Sequence, residues 1–182
     1  MNIALFGFMG VGKTEVGRLV AERLGLAFVD LDDMVINRAG KSVAAIFEED
    51  GEPRFRELER VVVEKVSARN GQVIACGGGT VLNPENLKKL RNSSTMILLT
   101  ADPETILRRV EGDGNSRPLL NASDRLERIR NLLSLRHRSY LEAADVVIDT
   151  SHRTPEEVVE DILLRLEEVT RLYEGRDSQK RG

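Results

Sequence analysis

Tryptophan is absent from the 182-residue chain, cysteine occurs once, and aromatic residues make up only 4%. A single thiol, Cys76, excludes an internal disulfide, and so few rings leave little on which nucleobases of a polynucleotide would stack. Charge of one sign is missing as well. Against 30 Asp and Glu stand 27 Lys and Arg, interspersed along the chain, for a net charge of -3; no basic footprint for nucleic acid remains. No apolar run approaches the length of a membrane span, and Met1-Asn2 leads straight into a strand candidate with no room for a secretion signal. The expectation is a cytoplasmic protein that binds neither nucleic acid nor membrane. At 41% hydrophobic residues, a chain of this length supports a single domain with its own core.

What is present starts at Gly7. The stretch Gly7-Phe8-Met9-Gly10-Val11-Gly12-Lys13-Thr14 fits the phosphate-binding pattern G-x-x-x-x-G-K-[ST] and follows the apolar run Ile3 to Phe6. Glycines let successive N–H groups curl around phosphate oxygens, Lys13 reaches the outer phosphates, and the Thr14 hydroxyl suits Mg²⁺. Val16, Leu19, Val20 and Leu24 then recur at helical spacing, closed by Gly25. That helix points its positive end at the anion.

Four further apolar runs read as strands: Leu26 to Val29, Val73 to Cys76, Met96 to Thr100 and Val146 to Asp149. Helical patterns separate them. Ser42 caps a helix over Val43 to Phe47, and Phe55, Leu58, Val62 and Val66 mark a longer one. Asn83-Pro84 and Asp102-Pro103 are helix starts, and Thr154-Pro155-Glu156-Glu157 is a capping box. Strands alternating with helices predict an α/β fold, a parallel sheet covered on both faces. A helical excursion fills residues 32–71, a substrate pocket or a solvated detour. Residues 112–121 have the glycine-containing composition of a mobile lid, and 175–182, without apolar residues, read as a frayed tail.

Ligands in such sheets sit beyond the carboxyl ends of the strands. After the second strand come Asp30 and Asp32, two apart, which in an extended segment point to one side; one suits a Mg²⁺ shell and the other a substrate hydroxyl, unless such aspartates merely cap the next helix, as Asp32 or Asp33 could. After the third come Gly77, Gly78 and Gly79, a close approach to a ligand or a plain turn. Arg56 and Glu59 share a helix face, as a site or as a solvated pair. Arg136 lies on the stripe of Leu126, Ile129, Leu133 and Tyr140, where a buried charge needs an anion unless the side chain reaches the rim. Arg117, beside Pro118, is a lid cation. His137, His152 and Cys76 carry no assigned chemistry. Together the residues describe an ATP- and Mg²⁺-dependent kinase for a small hydroxylated acid. A nucleotide switch is the rival class, although the chain has no N-K-x-D motif for guanine; kinases for gluconate or a nucleoside monophosphate are nearer rivals.

With these motifs assembled, the chain resembles shikimate kinase from about Asn2 to Leu166. The matching segments are Gly7 to Thr14, Asp30-Leu31-Asp32, Gly51-Glu52 with Phe55-Arg56 and Glu59, the glycines 77 to 79, Arg117-Pro118-Leu119-Leu120, and Arg136 with Tyr140. Arg138-Ser139 stands where the family usually has Pro-Leu. The resemblance implies a three-layer P-loop sandwich with five parallel strands in the order 2-3-1-4-5, one kinase domain over 1–174, and transfer of the ATP γ-phosphoryl group to the 3-hydroxyl of shikimate by a monomer. It implies that Gly10, Val11, Gly12, Lys13, Thr14 and Glu15 contact ATP, with Arg109, Arg117 and Arg153 near the nucleotide. Thr14 and Asp30 would serve Mg²⁺. Asp32, Arg56, Gly77, Gly78, Gly79 and Arg136 would hold shikimate, with Lys13, Asp32 and Arg117 acting on the reaction.

Overall fold

Five parallel strands, β1 (Asn2–Phe6), β2 (Ala27–Asp30), β3 (Gln72–Ala75), β4 (Ser94–Thr100) and β5 (Val146–Asp149), lie in the order β2-β3-β1-β4-β5 in the computed structural model. Residues 1–112 and 124–179 are described, 170–179 by backbone alone. The central strands are buried along their length, as continuous apolar runs covered on both faces must be. The edge strand β5 alternates buried and exposed residues. Register aligns Phe6 with Leu98, Leu5 and Asp30 with Ala75, and Thr100 with Asp149. All five carboxyl ends therefore open on one rim, with the strand order reversing around β1.

Helices join them: α1 (Lys13–Leu24), α2 (Leu31–Ala39), α3 (Val43–Ala45), α4 (Gly51–Ser67), α5 (Pro84–Ser93), α6 (Pro103–Gly112), α7 (Arg125–Ala143) and α8 (Pro155–Gln179). α1 packs on α8, α4 on α2 and α5, and α6 on α7. One apolar cluster runs through the molecule from Ile3 to Ile162. The anticipated caps form: Asn83 accepts from the amides of Glu85 and Asn86, Asp102 from Thr105, and Thr154 and Glu157 bond reciprocally. Among the described residues, no helix is long and apolar enough to cross a membrane.

Three expectations change. The helix at Val43 lasts one α turn and widens into a π-helical turn over Ile46–Asp50, which leaves Phe47 against Phe55 with ring centres 5.0 Å apart. Leu24, expected on the buried stripe of α1, is 42% exposed because it falls in the last turn, beside the Gly25 cap. Helical backbone in α8 continues past Gly175 to Gln179, into the stretch read as a tail; without proline there, hydrogen bonds propagate beyond the last apolar residue.

At Gly7 the chain leaves β1 with φ +139°, and a Cβ would collide with the carbonyl oxygen of Leu99. Backbone meets backbone there, so only glycine lets the phosphate loop turn over the end of β4.

Candidate active site

The rim above β1 and β3 holds a cleft of about 1120 Å³. It gathers every sequence-predicted site residue within the described part of the chain: the loop from Gly10 to Glu15, Asp30, Asp32, Arg56, Gly77 to Gly79, Arg109, Arg136 and Arg153. Arg117 and most of the expected lid lie outside the described residues.

At one end the loop passes through Gly12, in a left-handed conformation (φ +91°), into α1. The opening N–H groups of α1 lack carbonyl partners within the helix and face an incoming anion. Lys13 Nζ donates to the carbonyls of Gly7 (3.0 Å) and Phe8 (2.7 Å), arching back along the loop. The Thr14 hydroxyl donates to Asp30 Oδ2 at 2.9 Å. Two hard oxygens side by side at the mouth of a phosphate loop fit Mg²⁺, which takes one or two protein oxygens and fills its shell with phosphate and water.

Asp30 and Asp32 reach the cleft by a different route from the one the sequence suggested. Asp30 ends β2 and caps α2, its Oδ1 accepting the Asp32 amide at 3.0 Å. Asp32 therefore sits in the first helical turn. Strand alternation does not bring the two together; the cap does.

The opposite end is built on the three glycines. None has positive φ, so their bareness answers neighbours and not backbone strain. A Cβ on Gly77 would lie 3.1 Å from Asp32 Oδ1, one on Gly78 3.4 Å from Arg136 Nη1, and one on Gly79 2.6 Å from Arg56 Nη2. Side chains from α2, α7 and α4 thus converge on three successive residues. Arg136 and Tyr140 both donate to the Gly78 carbonyl, Tyr140 at 2.5 Å, which turns that peptide towards α7. Arg136 also lies over the Phe8 ring at 5.6 Å.

Arg56 is held on two sides. Its Nη1 donates to Glu59 Oε2 at 3.0 Å, while Nε and Nη2 share Glu52 Oε1. Glu59 is 1% exposed, and its other oxygen accepts from the Thr80 hydroxyl at 2.7 Å. Burial works against the charge on Arg56, but Glu59 and Glu52 outweigh it and hold the group above its ordinary pKa. Three of five guanidinium N–H groups are committed among the described residues, leaving a fork for a carboxylate.

Arg109 donates to the carbonyl of Gly10 (3.3 Å) and to Thr150, through its hydroxyl (3.0 Å) and carbonyl (2.8 Å). Arg153 bonds the carbonyls of Asp149 and Glu157 and pairs with Asp161 at 2.9 Å. Beneath the glycines, Cys76 is 1% exposed; burial, with Glu59 adding to it, pushes its thiol well up. Sequence reading missed Thr80, Thr150 and the hydroxyl of Tyr140. Thr80 follows the glycines and Thr150 follows β5, so inspection of strand ends would have found both.

Comparison with known proteins agrees with this arrangement. The shikimate kinase family model matches residues 9–167. A shikimate kinase of Symbiobacterium thermophilum is 48% identical over 169 residues, covering 92% of this chain and 97% of the relative. Among solved structures, shikimate kinase from Acinetobacter baumannii in complex with shikimate superposes with TM-score 0.87 at 35% identity, over 92% of this chain and 93% of that one. A gluconokinase from Sinorhizobium meliloti, 16% identical with TM-score 0.57, shares the fold alone. The chain belongs to the shikimate kinase family.

Proposed function

We propose that the cleft transfers the γ-phosphoryl group of ATP to the 3-hydroxyl of shikimate, with nucleotide at the phosphate loop and acceptor at the glycine floor. The bond from the γ-phosphorus to the bridging oxygen of ADP breaks as a bond to the acceptor oxygen forms, and the hydroxyl proton passes to water. Such a reaction asks chiefly for alignment and charge neutralisation. The observation that carries the reading is the convergence of Asp32, Arg136 and Arg56 on Gly77, Gly78 and Gly79. Two guanidinium groups flank adjacent residues, a span suited to one carboxylate, and a carboxylate stands one residue away to receive a hydroxyl hydrogen bond.

Lys13 would exchange its carbonyl partners for phosphate oxygens as the nucleotide enters. Thr14 and Asp30 would hold Mg²⁺, directly or through water; when bound, the ion neutralises charge on the phosphates. Asp32 would orient the acceptor hydroxyl, and Glu59, fixed by Thr80, would keep the Arg56 fork aimed at the acid. Phe47 and Phe55 line the same part of the cleft and offer an apolar wall to the carbon ring.

A coupled assay of ADP release tests this. Shikimate should stimulate turnover with Mg·ATP, while gluconate and AMP should not; stimulation by either of those and none by shikimate would reject the assignment.

A further inference from the structure

Thr150 sits immediately beyond β5 and is 2% exposed. Its hydroxyl oxygen lies 3.2 Å from the carbonyl of Val11, 3.0 Å from that of Thr100, and 3.0 Å from Arg109 Nη1. A hydroxyl has one proton to give and lone pairs to accept with. The Thr100 carbonyl already receives the Thr150 amide at 2.8 Å, and Arg109 can only donate. The hydroxyl proton has the carbonyls of Thr100 and of Val11, in the phosphate loop, within reach, while Arg109 fills the accepting side. Arg109 then reaches the next carbonyl back, Gly10, at 3.3 Å.

The described residues hold no cis peptide, and in a planar trans peptide the C=O and the following N–H point in opposite directions. Tying the Gly10 and Val11 carbonyls to one side turns the amides of Val11 and Gly12 to the other. The packing of α6 against the loop holds the arrangement: a Cβ on Gly10 would lie 3.0 Å from Val110 Cγ2 and 3.3 Å from the Ile106 carbonyl.

We infer that Thr150, with Arg109, is a positioning residue for nucleotide binding: the two pin the Gly10 and Val11 carbonyls so that the Val11 and Gly12 amides are presented to phosphate oxygens. The inference deepens the nucleotide half of the proposed reaction and rests on it. Thr150 touches no phosphate itself; it acts through the loop. Arg109 accordingly works as an orienting group whatever else it contacts.

Calorimetric titration of ADP, with no acceptor present, separates this from the choice of substrate. Thr150→Val keeps the shape and removes the hydroxyl, and should weaken ADP by about 5- to 10-fold, the worth of a typical hydrogen bond transmitted to the loop. Thr150→Ser should bind ADP within about 2-fold of wild type, since the donor is kept. Shikimate KM should stay unchanged in both. In an Arg109→Gln background, the Thr150→Val loss should shrink, because the two residues act on one loop. If the valine variant does not fold, Thr150→Ala carries the same expectations. Unchanged ADP affinity in the valine or alanine variant would overturn the inference, as would a serine variant as weak as valine or an equal loss for ADP and shikimate. Absence of any shikimate phosphorylation by the wild type would reject the proposed reaction while leaving the ADP comparison intact.

Discussion

Gly79→Ala puts the glycine floor to a direct test. Gly79 has φ -102° and ψ -10°, which alanine adopts without strain. The new Cβ would lie 2.6 and 2.7 Å from the two terminal nitrogens of Arg56 and 2.9 Å from Cζ. Comfortable contact is about 3.5 Å, so the guanidinium must retreat by roughly 0.8 Å. Arg56 is long enough to do so, but Glu59 and Glu52 then lose their alignment with it and the fork turns from the acid. A charge-assisted hydrogen bond is worth about 1.5–3 kcal/mol, so shikimate should bind about 10- to 150-fold more weakly. Stability should change little, because replacing glycine where the backbone permits it stiffens the unfolded chain by about 0.4–1 kcal/mol in favour of folding, which offsets the loosened Arg56–Glu59 pair. Coupled kinetics with each substrate varied in turn, plus a thermal melt, read all three quantities. The shikimate KM should rise, the ATP KM should stay within about 2-fold, and the Tm should hold. An unaltered shikimate KM would refute the role given to Arg56; both KM values rising with a lowered Tm would show that the floor itself had buckled.

Three other outcomes are expected. Asp32→Asn should depress kcat by about 100-fold or more with the melting curve preserved, since it removes the carboxylate proposed to orient the acceptor hydroxyl; near wild-type turnover would dismiss that role. Arg136→Ala should raise the shikimate KM at least about 10-fold and leave the ATP KM alone, as initial rates would show. Asp102, bonded by the Thr105 amide and hydroxyl and by Ser151, has its pKa lowered to about 2. A carboxyl depressed on folding stabilises above its unfolded value, about 3.9, and loses that contribution as pH falls towards the folded one. The Tm gap between wild type and Asp102→Ala should therefore close between about pH 4 and 2, followed by calorimetry across that range.

Much of this architecture could be read from residue order because its signals are local. Each strand contains a short apolar run, and Asn83, Asp102 and Thr154 announce their helices by side-chain chemistry that needs no distant partner. The site residues were legible wherever a strand end carried an unusual residue type, as with Lys13, Asp30 and the glycines. Reasons were harder to read than positions. Asp32 was placed by strand geometry but is delivered by a helix cap, and Gly79 is bare because an arginine from α4 passes beside it, which no short spacing could reveal. Thr80 and Thr150 stand near strand ends, but what they bind was not legible there: their partners lie 21 and 139 residues away in sequence. The π-helical turn that leaves Phe47 against Phe55 was likewise not legible from local spacing.

The walled-in position of Cys76 has a practical corollary. As the only sulfhydryl in the chain, and with its ionisation suppressed, it should stay silent towards maleimides and iodoacetamides while the fold is intact. The native sequence thus serves as its own cysteine-free background. One engineered cysteine placed between residues 112 and 121 would carry a fluorophore or spin label without competition, making the stretch that contains Arg117 open to distance measurements as each substrate is added.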